Sequence, residues 1–198
     1  MDLDRLQRQI EFVVEIDKLK TIVRQTLITD GSRQEDSAEH SWHLAVMAMV
    51  LSEYANHEGQ VDLVRVLKMV LVHDLVEIDA GDTFCYDEIG NQGKLAREQK
   101  AAERLFGLLP DDLAAEFRRL WDEFELRETP EAKFAGALDR LQPLLNNCAT
   151  SGRMWQHHEV TSDMVMRRNQ PIEEGSPELW DYAAGMIRDA VSKGWLKE

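Results

Sequence analysis

Residues 66–74 read VLKMVLVHD, an apolar run that ends in the adjacent pair His73 and Asp74. A run of this kind is typical of a buried helix. Burying an unpaired carboxylate in hydrocarbon costs many kcal/mol, so a buried aspartate is normally paired, protonated or bound to a metal. The sequence therefore predicts a partner for Asp74, and we interpret that partner as a metal ion.

Two other predicted helices carry residues that would complete such a site. His40 shares one helix face with Leu44, Met47 and Leu51, so we expect its ring to point into the core. Asp139 lies in a third helix, on a polar stripe beside apolar positions, where it would line a wet cavity. The predicted metal ligands are therefore His40, His73, Asp74 and Asp139.

Two imidazoles and two carboxylates form a mixed nitrogen and oxygen ligand set. Such a set suits Mn, Co, Fe, Ni, Zn or Mg rather than a metal selected by thiolates, and the sequence does not choose among these six. Two carboxylates neutralise one divalent ion, and four protein ligands leave positions open for water and for a phosphate oxygen. The predicted cofactor is one divalent metal ion.

Four further residues are candidates for proton transfer or substrate binding. Glu77 lies one turn after the His-Asp pair and is the predicted acid/base residue. Asp82, in the loop that follows, is placed to reach a sugar hydroxyl or to assist the activation of water. Arg24 and Arg33 precede the second helix and are candidate phosphate ligands, because the arginine fork matches phosphate oxygens. Pairing with nearby acids such as Glu39 is the alternative role for both arginines.

The charge and composition of the chain narrow its partners. The 198 residues carry a formal net charge of -14, which argues against general affinity for nucleic acid or anionic membranes. Cys85 and Cys148 are too few and too distant for a disulfide framework or a zinc ribbon. No secretory signal opens the sequence, and the longest fully apolar run, residues 44–51, is too short to span a bilayer. We expect a cytoplasmic protein that binds neither nucleic acid nor membrane.

Apolar residues recur at helical spacing throughout the chain, which predicts an all-α fold. The length suits a single domain over 1–198. A loop rich in Gly, Asp and Asn, residues 80–93, follows the helix that carries the His-Asp pair. The predicted helices cover residues 2–26, 37–57, 62–79, 93–108, 111–127, 130–149, 161–169 and 177–193.

These motifs occur in a recognisable order. They are Glu39-His40-Ser41, His73-Asp74, Glu77, Gly81-Asp82 and Ala137-Leu138-Asp139. The ordered set resembles the HD-domain metal phosphohydrolases, in particular the branch that contains the 5'-deoxynucleotidases. The resemblance implies an all-helical HD bundle, a metal held by the four predicted ligands, catalytic roles for Glu77 and Asp82, and a phosphate contact from Arg24. It also implies a homodimer that hydrolyses phosphomonoesters, with (deoxy)nucleoside 5'-monophosphates as substrates.

Several alternatives stay open at this point. A related HD enzyme would cleave a phosphodiester or a nucleoside triphosphate instead. A di-iron oxygenase of this fold needs extra histidines before the final aspartate, and no histidine occurs between Asp74 and Gln156. A non-catalytic dimer would use the metal only for structure.

Four polar residues have less defined roles in the sequence. Gln25 stands where the deoxynucleotidases carry a tryptophan, so the sequence leaves both ribose and deoxyribose open. His43 lies one turn beyond His40 and is interpreted as a packing residue or as support for the site. His157 and His158 lie next to a tryptophan and are interpreted as structural.

Overall fold

The computed structural model describes residues 3–55, 61–87 and 89–198, and most of them are helical. The α-helices are Leu3–Glu15 (α1), Ser37–Leu51 (α2), Leu63–Val72 (α3), Glu77–Ala80 (α4), Lys94–Phe106 (α5), Asp111–Leu126 (α6), Pro130–Ala149 (α7), Arg153–His157 (α8), Ser162–Asn169 (α9), Ile172–Gly175 (α10) and Pro177–Ser192 (α11). The 3-10 helices are Ile16–Thr21, Ser52–Tyr54 and His73–Val76, and the strands are Val23–Leu27 (β1) and Gln34–Asp36 (β2). The predicted all-α fold is confirmed.

Side-chain caps begin three of the longer helices. At α2, Asp36 accepts a hydrogen bond from the Glu39 N–H (2.8 Å), and the Glu39 carboxylate accepts one from the Asp36 N–H (3.2 Å). The hydroxyls of Thr129 and Ser176 cap α7 and α11, each followed by a proline. Each cap satisfies a helix N–H and is typically worth about 1 kcal/mol. The cap of α2 fixes the position of His40, one turn into that helix.

Helix α7 lies at the centre of the fold and packs against α2, α3, α6, α10 and α11. Its fully buried residues Phe134 and Leu138 belong to the same core as Leu44 of α2 and Met69 of α3. This core therefore brings together the three chain segments that carry the predicted metal ligands. Among the described helices, none is both long enough and apolar enough to cross a membrane.

The predicted helix over 2–26 is wrong beyond residue 15, and residue 2 lies outside the described residues. Helix α1 ends at Glu15, a 3-10 helix follows, and β1 then pairs with β2 in an antiparallel hairpin. The β-branched residues Ile22 and Val23 favour extended backbone, and β2 provides the hydrogen-bond partners of the strand. The spacing of apolar residues in the sequence does not reveal this pairing. As a result Arg24 lies on a strand.

The predicted helix over 62–79 changes its winding at the His-Asp pair. Helix α3 ends at Val72, residues 73–76 form a 3-10 helix, and α4 begins at Glu77. A 3-10 helix has about 3.0 residues per turn instead of 3.6, which redirects the side chains. Leu71 is 49% exposed whereas Asp74 is 8% exposed, so these two residues do not share one face of a continuous helix.

Two short helices were not predicted. Helices α8 and α10 have five and four residues, too few to establish a helical period in the sequence. The predicted end of the second helix at residue 57 lies outside the described residues.

Replacing Gly175 by alanine is expected to lower the free energy of unfolding by about 1–3 kcal/mol, the usual cost of overpacking a core. Gly175 ends α10 against α7, where an added methyl would overlap the carbonyl oxygen of Lys133 and lie 2.8 Å from Cβ of Ala137. Urea unfolding followed by circular dichroism measures the change.

Gly185→Ala in α11 is the matched control. No described atom lies within 4 Å of the added methyl there. A mid-helix glycine is about 1 kcal/mol less favourable than alanine, so this variant should gain stability. Equal stabilities of the two variants would contradict the close packing of α10 on α7.

Candidate metal centre

Four side chains converge between α2, the 3-10 turn at 73–76 and α7. Nε2 of His40 lies 3.1 Å from Oδ1 of Asp139 and 4.0 Å from Oδ2 of Asp74. Nε2 of His73 lies 3.1 Å from Oδ1 of Asp74 and 3.7 Å from Oδ1 of Asp139. One ligand atom from each of His40, His73 and Asp74 falls within 4.8 Å of the others, a spacing that suits a single metal ion. The structure therefore brings the four predicted ligands together.

The ring of His73 is oriented by its own backbone. Its Nδ1 lies 2.9 Å from the carbonyl oxygen of Val70, which requires a proton on Nδ1 and leaves the lone pair on Nε2. Among the described residues this buried Nε2 has no hydrogen-bond partner. A buried lone pair that faces two carboxylates needs a cation, so the donor set fits a metal ion.

A chain of side chains orients His40 in the same manner. Its Nδ1 lies 3.0 Å from Oε1 of Gln142, and Nε2 of Gln142 donates a 2.6 Å hydrogen bond to Oε1 of Glu35. The Gln142 oxygen accepts a hydrogen bond from Nδ1–H of His40, so the lone pair of Nε2 points at the cluster. Glu35, Gln142 and His40 are all buried. Metal-ligating histidines commonly have such a partner on their second nitrogen.

The electrostatics of the cluster favour a cation. Burial lowers the pKa of His73, but Asp74 and Asp139 outweigh burial and raise that pKa to about 9, so in the absence of a metal ion a proton takes the place of the cation on Nε2. Burial raises the pKa of Asp139, but the interactions of this carboxylate with His40 and His73 outweigh burial and bring the pKa well below its usual value. The two carboxylates thus stabilise positive charge at the point where the ring nitrogens meet.

A cavity of about 230 Å³ opens beside the cluster and is lined by Glu77 and Asp82. Oε2 of Glu77 accepts a 2.7 Å hydrogen bond from the Ser37 hydroxyl at the start of α2. Burial, and then the charge of Asp74, raise the pKa of Glu77 well above its usual value. Burial also raises the pKa of the half-buried Asp82, and Asp82 lies close enough to Glu77 for its charge to raise the pKa of Glu77 further. Two neighbouring carboxyl groups of this kind can hold and transfer a proton.

The structure separates the two predicted phosphate ligands. Arg24 lines the cavity, with Nη1 2.7 Å from Oδ2 of Asp74 and 3.9 Å from Oε2 of Glu77. Arg33 does not line the cavity, contrary to the expectation from sequence. Its guanidinium binds both carboxylate oxygens of Glu39, at 2.5 and 2.8 Å, because the capping box holds that carboxylate at the start of α2.

The order of these motifs corresponds to a known family. A family model described as HD domain matches residues 16–180, which include all four clustered residues. The chain belongs to the HD domain family. The resemblance inferred from the ordered motifs is confirmed.

Relatives of this HD domain include named enzymes. The 5'-deoxynucleotidase HDDC2 from Homo sapiens is 32% identical over 137 residues, which cover 69% of this chain and 65% of that protein. Its counterpart in Xenopus laevis is 33% identical over 69% of this chain and 66% of its own length. The match thus spans just under two thirds of these relatives.

A solved structure is similar over almost the whole chain. It is described as a predicted metal-dependent phosphohydrolase from Magnetospirillum magnetotacticum. The two proteins share 56% sequence identity and superpose with a TM-score of 0.93. The similarity covers 98% of this chain and 96% of the other.

Further cations of the HD domain line the cavity and were not predicted from the sequence. They are Lys94 of α5, Arg127 after α6, Arg140 of α7 and Arg168 of α9. In the sequence, the position of Arg140 directly after Asp139 was a hint that a cation lies near the site. These residues come from four separate segments of the chain, so no regular spacing in the sequence connects them. The tertiary structure brings them to one cavity.

The other described histidines, His43, His157 and His158, lie around the HD site rather than in it. Nδ1 of His43 lies 3.2 Å from Nε2 of Gln142, so His43 contacts the residue that orients His40. The His158 ring packs on Phe84, with ring centroids 4.4 Å apart. Neither His157 nor His158 is among the residues that line the cavity.

Replacing Gln142 by methionine is expected to weaken divalent-metal binding by about 10- to 100-fold, the usual effect of losing the partner of a ligating histidine. Methionine keeps the volume of the glutamine side chain but lacks the amide oxygen that accepts the hydrogen bond from Nδ1–H of His40. Calorimetric titration of the metal-free protein with Mn²⁺ measures the change. Gln156→Met, on an exposed glutamine that donates to the carbonyl of Ser151, is the control. Equal affinities of the two variants would show that the ring of His40 does not depend on Gln142.

Proposed function

We propose that this HD domain is a metal-dependent phosphohydrolase that releases phosphate from (deoxy)nucleoside 5'-monophosphates. The observation that carries the proposal is the meeting of two imidazoles and two carboxylates at a cavity lined by a second pair of acids, Glu77 and Asp82. The relatives named 5'-deoxynucleotidase support the choice of substrate class.

In this proposal His40, His73, Asp74 and Asp139 hold one divalent ion. When bound, the ion supplies positive charge that polarises the phosphate and favours attack by water. The mixed ligand set is compatible with Mn, Co, Fe, Ni, Zn or Mg. Asp74 and Asp139 offset the ion's charge, which leaves the charge of the phosphate to be balanced by cationic side chains.

The acid pair provides the proton that the leaving group needs. Glu77 is held by Ser37 and keeps a proton because burial raises its pKa. It donates this proton to the oxygen of the departing alcohol as the phosphorus–oxygen bond breaks. Asp82 lines the cavity with Glu77 and assists the activation of water, or contacts a sugar hydroxyl. Arg24, between Asp74 and Glu77, donates to a phosphate oxygen.

The test is phosphate release by the full chain, loaded in turn with each candidate metal. We expect release from nucleoside 5'-monophosphates, and paired ribose and deoxyribose substrates will show what Gln25 permits. Release of pyrophosphate or triphosphate from nucleoside triphosphates, or cleavage of diesters alone, would favour the alternative HD activities. A folded, metal-loaded protein that releases no phosphate from any monophosphate would refute the proposal.

We also propose a homodimer that forms through the outer face of α2. The inner face of this helix is buried in the core, yet the outer residues Trp42, Val46, Met49 and Val50 are apolar and exposed. A helix that is apolar all round is normally covered on both sides. Val46→Glu is therefore expected to convert a dimer to a monomer in sedimentation equilibrium.

The matched control for the dimer is Val14→Glu on α1, another exposed valine. This variant should sediment as the parent protein does. A monomeric parent, or a dimer that tolerates the Val46→Glu change, would contradict the interface. The single domain over 1–198 and the cytoplasmic location stay predictions.

A further inference from the structure

We infer that Arg127, Arg140 and Arg168 form a subsite for a second anionic group of the substrate, apart from the phosphate at the metal cluster. The inference rests on the proposed function and narrows its substrate class to phosphomonoesters that carry another phosphate or a carboxylate. We call these three residues the arginine wall. All three line the cavity that opens beside the cluster.

Arg140 is fixed in place by backbone carbonyls. Its Nε donates to the carbonyl oxygen of Arg168 (3.1 Å), and its Nη1 donates to that of Gly136 (2.9 Å). The residue is 5% exposed. Because carbonyl oxygens carry no formal charge, these bonds hold the guanidinium without neutralising it. Among the described residues, no carboxylate oxygen lies within 4.0 Å of Arg140.

Arg127 is brought next to Arg140 by a glycine. A Cβ at Gly136 would lie 3.5 Å from Nε of Arg127 and 3.5 Å from Nη1 of Arg140, so the two guanidinium groups flank one point on α7. Nε of Arg127 is buried and has no hydrogen-bond partner in the described part of the chain. A buried donor without a partner costs stability, and a bound anion would satisfy it.

The clustered arginines raise the electrostatic potential of this wall. Arg127 and Arg140 flank the same point on α7, and the backbone of Arg168 holds Arg140, so the charges of these side chains lie close together. The whole chain carries a net charge of -14, so this concentration of positive charge is a local exception.

A charge balance of the site shows that one phosphate does not use all of these cations. A divalent ion offsets Asp74 and Asp139. Arg24 lies within 4.0 Å of Asp74, and Lys94 lines the same cavity, so two cations outside the arginine wall can offset a dianionic phosphate at the cluster. Arg127 and Arg140 then remain without an anion. A second phosphate or a carboxylate on the substrate supplies one.

The test compares matched substrates with the metal-loaded full chain. Adenosine 3',5'-bisphosphate is paired with adenosine 5'-monophosphate, and 2-phosphoglycolate is paired with ethyl phosphate. We expect kcat/KM to be about tenfold or more higher for the doubly anionic member of at least one pair, the scale of a charge-assisted hydrogen bond. The pair with the larger ratio identifies phosphate or carboxylate as the second group.

Arg127→Gln should bring this preference close to one, because glutamine keeps a donor but loses the charge. Arg188→Gln, on an exposed arginine of α11 outside the cavity, should keep the preference of the parent protein. Ratios near one in the parent protein, or a preference unchanged by Arg127→Gln, would overturn the inference while leaving the phosphatase activity in place.

A binding measurement separates the two proposals. Calorimetric titration of metal-free protein with adenosine 3',5'-bisphosphate should show binding that Arg127→Gln weakens about tenfold. If neither member of any pair is hydrolysed, the proposed function fails, whereas this titration still tests the arginine wall. Equal binding by the parent and the Arg127→Gln variant would refute the wall. Arg140→Lys, which keeps a cation, should retain more of the binding than Arg127→Gln.

Discussion

Asp74→Asn is expected to abolish tight binding of divalent metal and to reduce kcat/KM for phosphate release about a thousandfold or more, because metal activation of water and phosphate is worth several kcal/mol. The Asp74 carboxylate lies 3.1 Å from Nε2 of His73 and 2.7 Å from Nη1 of Arg24. Asparagine keeps the shape of the side chain but removes the charge that holds a cation. Metal content of the purified protein and steady-state kinetics measure the two effects.

Asp79→Asn is the control for this change. Asp79 lies on α4 only five residues further along, but it pairs with Arg104 and does not line the cavity. Its loss should leave metal content and turnover as they are. Removal of the metal from the parent protein with a chelator should reproduce the effect of Asp74→Asn, and added metal should restore activity. Full activity in the Asp74→Asn variant would contradict the proposed centre.

Glu77→Gln is expected to lower kcat by about 10²- to 10⁴-fold, the usual contribution of a positioned general acid, with little change in metal affinity. Glutamine can still accept the hydrogen bond from the Ser37 hydroxyl, so the loss would reflect the missing proton. Kinetics with a 4-nitrophenyl phosphate and with an alkyl phosphate distinguish the role. The nitrophenolate leaves without a proton, so the variant should lose far less activity on that substrate.

The same measurement discriminates against a purely structural role for Glu77. A structural defect would lower turnover of both substrates to the same extent and would reduce thermal stability. Asp82→Asn removes a charge that helps to raise the pKa of Glu77, and should show a smaller loss of kcat than Glu77→Gln. An equal loss on both substrates would assign Glu77 to the support of the cluster instead of proton transfer.

The convergence of His40, His73, Asp74 and Asp139 could be predicted from the sequence because a buried charge needs compensation, and only a few positions could provide it. The caps at Asp36 and Thr129 were predictable for a similar reason, since they satisfy backbone groups within one turn of chain. Both arguments use local rules that hold whatever the tertiary structure is.

Features that depend on distant contacts were beyond the sequence. The β1 strand forms only because β2 pairs with it, so the helical spacing before it gave the wrong continuation. The pair of Arg33 with Glu39 is local and was an alternative that the sequence offered, whereas Arg127 and Arg140 meet over Gly136 from different segments of the chain. The link from Glu35 through Gln142 to His40 spans more than 100 residues of chain. Such partners follow from helix packing, which no spacing rule describes.

The 3-10 turn at residues 73–76 fixes the angle about the helix axis between Asp74, a proposed metal ligand, and Glu77, the proposed general acid. Glu77 follows Asp74 by three positions. This spacing is one full turn of a 3-10 helix, whereas in an α-helix it falls roughly 60° short of a full turn. The turn therefore places the side chains of Asp74 and Glu77 on the same face of the 3-10 helix. An inserted or deleted residue in this interval would rotate Glu77 by about a third of a turn relative to Asp74. Natural variation in chain length should therefore be tolerated in the loop after residue 82 and excluded between residues 73 and 77.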